Sequence, residues 1–335
     1  MKRMFVKTVL ATVALAAAGL VSAQDIRERT IKFGTQNAPG HPIVQAMDKF
    51  AELVATKSKG KIKVNNFPSA QLGNDQFHVS GVQGGTIEMT VMNSGILASQ
   101  AKEFAIYDFP FMFANEKEAD AVVDGPFGKK MHGKLEEKGI VGLAYWELGF
   151  RNMTNSKKPL LKVEDIAGLK IRVIPNPINL DWVKALDANP TPLPFPELYG
   201  ALENKAVDGQ ENPIPTIAAA KMFEVQKYLA ITRHVYNPQS VMISKKFWDT
   251  LSADEKKLLQ ESVNEVTAFQ RKASRDAVAK DLETLKSKGM QVTEFPPAEV
   301  NKFVEKMKPV ITKYAANVGA DTVNDLLAEL AKVRK

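Results

Sequence analysis

The chain has 335 residues, 44% hydrophobic and 25% charged, a composition that suits a globular protein with a full core. Its formal charge of +7 is mild for that length, which disfavours nucleic-acid binding as the main activity and helps attract an anion. No cysteine is present, so thiol catalysis, iron–sulfur clusters and cysteine zinc sites are excluded, and a chain this long can fold without disulfide staples.

Lys2, Arg3 and Lys7 precede an almost purely apolar run from Val9 to Val21, and Val21-Ser22-Ala23 supplies the small residues that a signal peptidase reads. The pattern predicts export with cleavage after Ala23. The run is shorter than the roughly 20 apolar residues that cross a bilayer core, and no later stretch is long enough, so a soluble mature protein is expected. The leader holds three of the seven net positive charges and leaves +4. About 310 residues remain, enough for two domains of about 150 or one large one.

Thr30 to Thr35 alternates as a short strand, and the turn residues Asn37 to Pro42 break it. Ile43, Met47, Phe50, Ala51 and Val54 then recur at helical spacing. Lys61 to Phe67 reads as a strand, Phe77 to Gly84 as a helix, and Glu88 to Met92 as a further strand. Such alternation predicts an α/β domain with much parallel sheet. Ile140 to Tyr145 suits a buried strand, and Gly168 to Val173 turns into another that Pro175 and Pro177 stop. Pro196 marks a helix start. Asp208 to Pro213, by composition, reads as a dense polar turn. Ser252 and Glu255 form a capping box, opening a helix that runs without Pro or Gly to about Gly289. Its length of about 50 Å would cross two domains.

Motifs for catalysis are sparse. The four histidines (His41, His78, His132 and His234) include no H-E-x-x-H pair, and there is no G-x-S-x-G elbow, P-loop or G-x-G-x-x-G. Two arginines stand out instead. Arg151 follows Gly149-Phe150 after an apolar strand, and Arg172 sits inside the apolar strand Leu169 to Ile174. A buried guanidinium without an anion is costly. The spacing therefore leaves two readings open, a structural salt bridge or a pair of cations waiting for a carboxylate.

Taken together, Ile31-Lys32-Phe33-Gly34, Phe67-Pro68-Ser69-Ala70-Gln71-Leu72-Gly73, Gly149-Phe150-Arg151, Gly168-Leu169-Lys170-Ile171-Arg172-Val173 and Ala206-Val207-Asp208-Gly209-Gln210-Glu211-Asn212-Pro213 resemble the solute receptors of tripartite ATP-independent periplasmic (TRAP) transporters. The likeness covers nearly the whole chain after the leader. It implies an α/β periplasmic-binding-protein fold of two domains with a hinge and a long helix across both. The expected division is residues 24–148 plus 238–277 for one domain and 149–237 plus 278–335 for the other, with the ligand between them. It implies a periplasmic receptor without cofactor or enzymatic activity, whose closed form is recognised by membrane permease subunits.

By motif, the resemblance makes Arg172 the main carboxylate anchor, Arg151 the second arginine and Asn212 its companion. Phe195 becomes an aromatic wall, and Asp75 a polar contact at the far end. Asn93 stands where sialic-acid receptors carry a glutamate, which argues against sialic acid. Gln36, Asn37 and His41 belong to the first strand-to-helix loop facing the cleft, with Gln239, Trp146 and Glu147 nearby. Amides and a carboxylate opposite the arginines suit hydroxyl groups better than a second carboxylate. The expected ligand is thus a hydroxylated monocarboxylate, with glucuronate or galacturonate the best single choice. Keto, aromatic or C4-dicarboxylic acids are the alternative ligands. The alternative roles are a sensor subunit or a periplasmic hydrolase or lyase.

Overall fold

The computed structural model describes residues 25–334, so the expected leader and its cleavage point lie outside the described residues. The chain opens with β1 (Arg29–Gly34), α1 (Pro42–Lys57), β2 (Ile62–Phe67), α2 (Asp75–Gly84) and β3 (Met89–Asn93). Two 3-10 segments, Ser94–Ser99 and Lys102–Asp108, lead to α3 (Glu116–Asp124), α4 (Pro126–Gly133) and the long strand β4 (Ile140–Asn155). The strand–helix pattern then recurs as β5 (Lys170–Val173), α5 (Pro177–Lys184), β6 (Asn189–Pro192), α6 (Phe195–Glu203), β7 (Gly209–Pro213) and α7 (Ile214–Ala219). A second long strand, β8 (Tyr228–Ser244), precedes α8 (Lys245–Trp248), α9 (Ala253–Ser287), β9 (Gln291–Glu294), α10 (Pro297–Val318) and α11 (Ala320–Val333). None of the described helices is long and apolar enough to cross a membrane.

The nine strands of the described residues share one sheet in the order β2-β1-β3-β8-β4-β7-β5-β6, with β9 on β8. β1 runs parallel to β2 and β3, and β5 runs parallel to β6 and β7. These two parallel triplets have the same internal order, and the antiparallel pair β4–β8 joins them. The architecture is therefore two α/β halves that share two strands instead of a linker. β4 and β8 slip register at three points, including the step from Glu147 to Gly149 opposite Pro238 and Asn237. Gly149 has φ +110°, a conformation that a side chain disfavours and a bulge uses.

One segment differs from its compositional reading. Gly209–Pro213, expected as a polar turn, is the buried strand β7 between β4 and β5. Its polar side chains bond inside the sheet. Gln210 donates to Thr154 Oγ1 at 2.9 Å, and Asn212 donates to Gln210 Oε1.

α9 explains its own length. Its first turns place Leu258, Leu259, Val263 and Val266 in the core that holds Phe33, Phe50 and Trp146. Its last turns place Leu285 in a separate core with Leu198, Ile217 and Leu229. Between these apolar ends lies a polar stretch bonded to the register slip in β4. Gln270 exchanges hydrogen bonds with the Glu147 backbone at 2.7 and 2.8 Å, and Arg275 holds the Glu147 carboxylate at 2.7 Å. The Ser252–Glu255 capping box forms as expected, and Glu255 also pairs with Arg29 at 3.1 Å.

Candidate ligand-binding site

A cavity lies between the two triplets, where the carboxyl ends of their parallel strands face each other. Open α/β sheets present ligands with backbone and side chains at such ends. The two halves contribute from corresponding positions. Asp75 begins the helix after β2, and Phe195 begins the helix after β6. Asn93 ends β3, and Asn212 lies at the end of β7. Leu148 and Arg151 of β4, with Gln239 of β8, close the cavity from the shared strands.

The two arginines are in opposite electrostatic states. Arg151 is held by Glu211, with Nη2 to Oε1 at 2.8 Å and Nε to the other oxygen, while Nη1 donates to Asn237 at 2.8 Å. Despite the cost of burial, the Arg151 charge keeps the Glu211 pKa down at about 2, so this pair stays ionised. Arg172 is 1% exposed and has no carboxylate within ion-pair distance among the described residues. Its Nε and Nη2 both donate to the Leu193 carbonyl at 2.9 and 2.7 Å, which orients the guanidinium without neutralising it. Burial lowers its pKa to about 10, still cationic at neutral pH. The Phe195 ring, 5.9 Å from the guanidinium carbon, covers one side.

The other wall is rich in acceptors. Gln36 donates to the Gly73 carbonyl at 3.1 Å, while its Oε1 is buried without a partner among the described residues. The Asp75 carboxyl lies in the cavity although part of that residue reaches the surface. Burial pushes its pKa up to about 7 against the pull of Arg172. Asn37 donates to Thr35 Oγ1 at 3.1 Å. Asn93 caps the turn at Gly95 and donates to Asn237 at 3.1 Å, which links this wall to Arg151. Such a set accepts from hydroxyl groups and opposes a second anion.

Nine of the ten expected site residues line this cavity: Arg172, Arg151, Asn212, Phe195, Asp75, Asn93, Gln36, Asn37 and Gln239. His41 does not. Its ring turns back to accept the Ile43 N–H at 3.1 Å as the cap of α1, because a helix start must satisfy its free amides. Trp146 is in the core, 6.1 Å from Phe33 and bonded to Thr267, and Glu147 faces α9. Sequence reasoning missed Thr35, Thr216 and the apolar lining residues Val91, Met92, Ile96, Leu148 and Ile174. Thr216, four residues after Asn212, was within reach of the polar motif, whereas the apolar residues look like any core.

The family model described as bacterial extracellular solute-binding protein, family 7, matches residues 33–317. The chain is 38% identical over 283 residues to the 2,3-diketo-L-gulonate-binding periplasmic protein YiaO of Escherichia coli strain K12, covering 84% of this chain and 86% of that one. It is similar in structure to the sugar acid binding protein DctPAm of Advenella mimigardefordensis in complex with galactonate. That likeness has a TM-score of 0.90 and 44% identity over 92% of this chain and 99% of the other. A TRAP periplasmic solute binding protein from Ochrobactrum anthropi shares 54% identity and a TM-score of 0.83 over 92% of this chain and 97% of its own. The chain thus belongs to family 7 of the bacterial extracellular solute-binding proteins, the periplasmic receptors of TRAP transporters, which bind their solutes and are not enzymes.

Proposed function

We propose that this receptor captures a sugar acid by its carboxylate, a hexuronate such as glucuronate or galacturonate or the corresponding hexonate, and presents it to TRAP permease subunits. The observation that carries this reading is Arg172, a buried cation without a counter-ion in a cavity whose second arginine is already neutralised. One free cation in this cavity, among the described residues, calls for one carboxylate. Asp75 and the unpartnered Gln36 Oε1 then call for hydroxyl hydrogens. The galactonate held by the Advenella relative has this chemistry. A keto sugar acid is the second reading, because Asp75 with a pKa of about 7 can carry the proton that a carbonyl accepts.

The leader pattern supports export to the periplasm. The register slips at Glu147–Gly149 and Pro238–Asn237 support a hinge there, with 24–148 plus 238–277 on one side and 149–237 on the other, whereas α11 of the segment 278–335 packs on α3 and α4 of the first side. The test is a thermal-shift screen of the ligand-stripped protein against hexuronates, hexonates, C4-dicarboxylates, keto acids and aromatic acids. A ligand at 100 times its Kd stabilises by about 2.7 kcal/mol, enough to move Tm by several degrees. Shifts with sugar acids support the proposal. Shifts with succinate alone would overturn the sugar-acid reading and leave the Arg172 anchor.

A further inference from the structure

His41 and Thr216 belong to the two different halves of the fold and meet at the edge of the cavity. His41 lies between β1 and α1, and Thr216 lies on α7 after β7. His41 Nε2 and Thr216 Oγ1 are 3.1 Å apart, and the two residues are 1% and 3% exposed. Thr216 lines the cavity, whereas His41 sits directly behind it.

The hydrogen positions follow from the neighbouring bond. His41 Nδ1 accepts the Ile43 N–H, so that nitrogen carries no proton. Burial lowers the imidazole pKa to about 3, so the ring is neutral and its proton is on Nε2. Nε2 therefore donates and Thr216 Oγ1 accepts. A hydroxyl has one hydrogen, and that of Thr216 has no acceptor among the described residues. It remains for an atom in the cavity.

We propose that Thr216 is a ligand-binding residue that donates to a ligand oxygen, and that His41 is the positioning residue that fixes this donor role from the opposite half. The bond also joins the two halves, so the ligand contact at Thr216 and the apposition of the two halves reinforce each other. A ligand bound through Thr216 then leaves more slowly while His41 holds that side chain. This inference rests on the sugar-acid reading of the same cavity.

The test is calorimetry and stopped-flow dissociation with D-galactonate and D-galacturonate as probes. Thr216→Val keeps the side-chain shape and removes the hydroxyl, and is expected to weaken binding about tenfold, while Thr216→Ser stays within about twofold of the parent. His41→Asn keeps a good helix cap but is too short to reach Thr216. It is expected to raise the dissociation rate about fivefold. The double variant His41→Asn/Thr216→Val should be no weaker than Thr216→Val alone, since both remove one relay. Equal affinity of Thr216→Val and the parent, or full additivity of the two losses, would overturn the relay. If the parent chain binds neither probe, the sugar-acid reading falls and the relay falls with it.

Discussion

Arg151 and Arg172 line one cavity, yet among the described residues only Arg151 has a carboxylate partner: Glu211 holds it through both carboxylate oxygens, while Arg172 bonds only the Leu193 carbonyl. Two similar sequence signals thus resolve into different roles. Arg151 fits the structural salt bridge, and Arg172 is the charge that the proposed function assigns to a ligand carboxylate.

The first prediction concerns that free charge. Arg172→Met removes the cavity arginine that has no carboxylate partner among the described residues, and losing one side of a buried charge contact costs about 2–5 kcal/mol. Binding of galacturonate and galactonate should weaken at least about thirtyfold by calorimetry, while circular dichroism shows a folded protein. Unchanged affinity would remove Arg172 as the anchor.

Glu211→Gln tests the neutralised arginine. Leaving Arg151 unpaired in the interior should lower the stability of the apo protein by on the order of 3 kcal/mol in a denaturant titration. The released charge also gives a second carboxylate a partner. Succinate should then produce a thermal shift that the parent chain lacks.

The two titrating carboxyls give stability opposite slopes in different pH windows. Glu211 falls from its ordinary 4.5 to about 2 in the folded chain, so its contribution is complete above pH 4.5 and is lost as pH drops through 2. Asp75 rises from 3.8 to about 7, so between these values the folded chain keeps a proton that the unfolded chain has released. Apo stability should therefore decline from about pH 4 to pH 7 by this contribution. Asp75→Asn should flatten that decline in a series of apo melting curves, and an unchanged slope would assign it to other groups.

Gly149 sits at the register slip that Glu147 and α9 brace. A Cβ there makes only ordinary van der Waals contact, its nearest neighbour being Pro213 Cβ at 3.7 Å, so the expected cost of Gly149→Ala comes from the positive φ. A loss of about 1 kcal/mol or more would lower the apo Tm by roughly 2–4 °C. A Tm equal to the parent's would show that the slip adapts to a side chain.

Much of the fold was legible because it rests on local signals. The alternation that marks β1, the helical spacing from Ile43 to Val54, and the Ser252–Glu255 box all act within a few residues. β7 and β8 were not legible from composition for one shared reason. Both are buried almost throughout on both faces and carry polar side chains there, so neither shows the two-residue alternation of a half-buried strand. Of the site, the motif residues Arg172, Asn212, Phe195 and Asp75 were identified through resemblance, and each lines the cavity. His41 was placed in the right loop but with the wrong orientation, since the need of α1 for a cap outweighed any pull toward the cavity.

By itself, the amino-acid sequence determined the α/β class, the leader pattern, the long capped helix and the presence of two unusual arginines in apolar strands. These depend on residue type and short spacing, which the chain carries wherever it folds. Only the tertiary structure decided which arginine is free, because Glu211 lies 60 positions from Arg151 and meets it solely through the β4–β7 pairing. It likewise decided that the two triplets face each other at their carboxyl ends, and that His41 meets Thr216 across 175 positions. Charge compensation and hydrogen-bond direction are properties of neighbours in space, and the sheet order sets those neighbours.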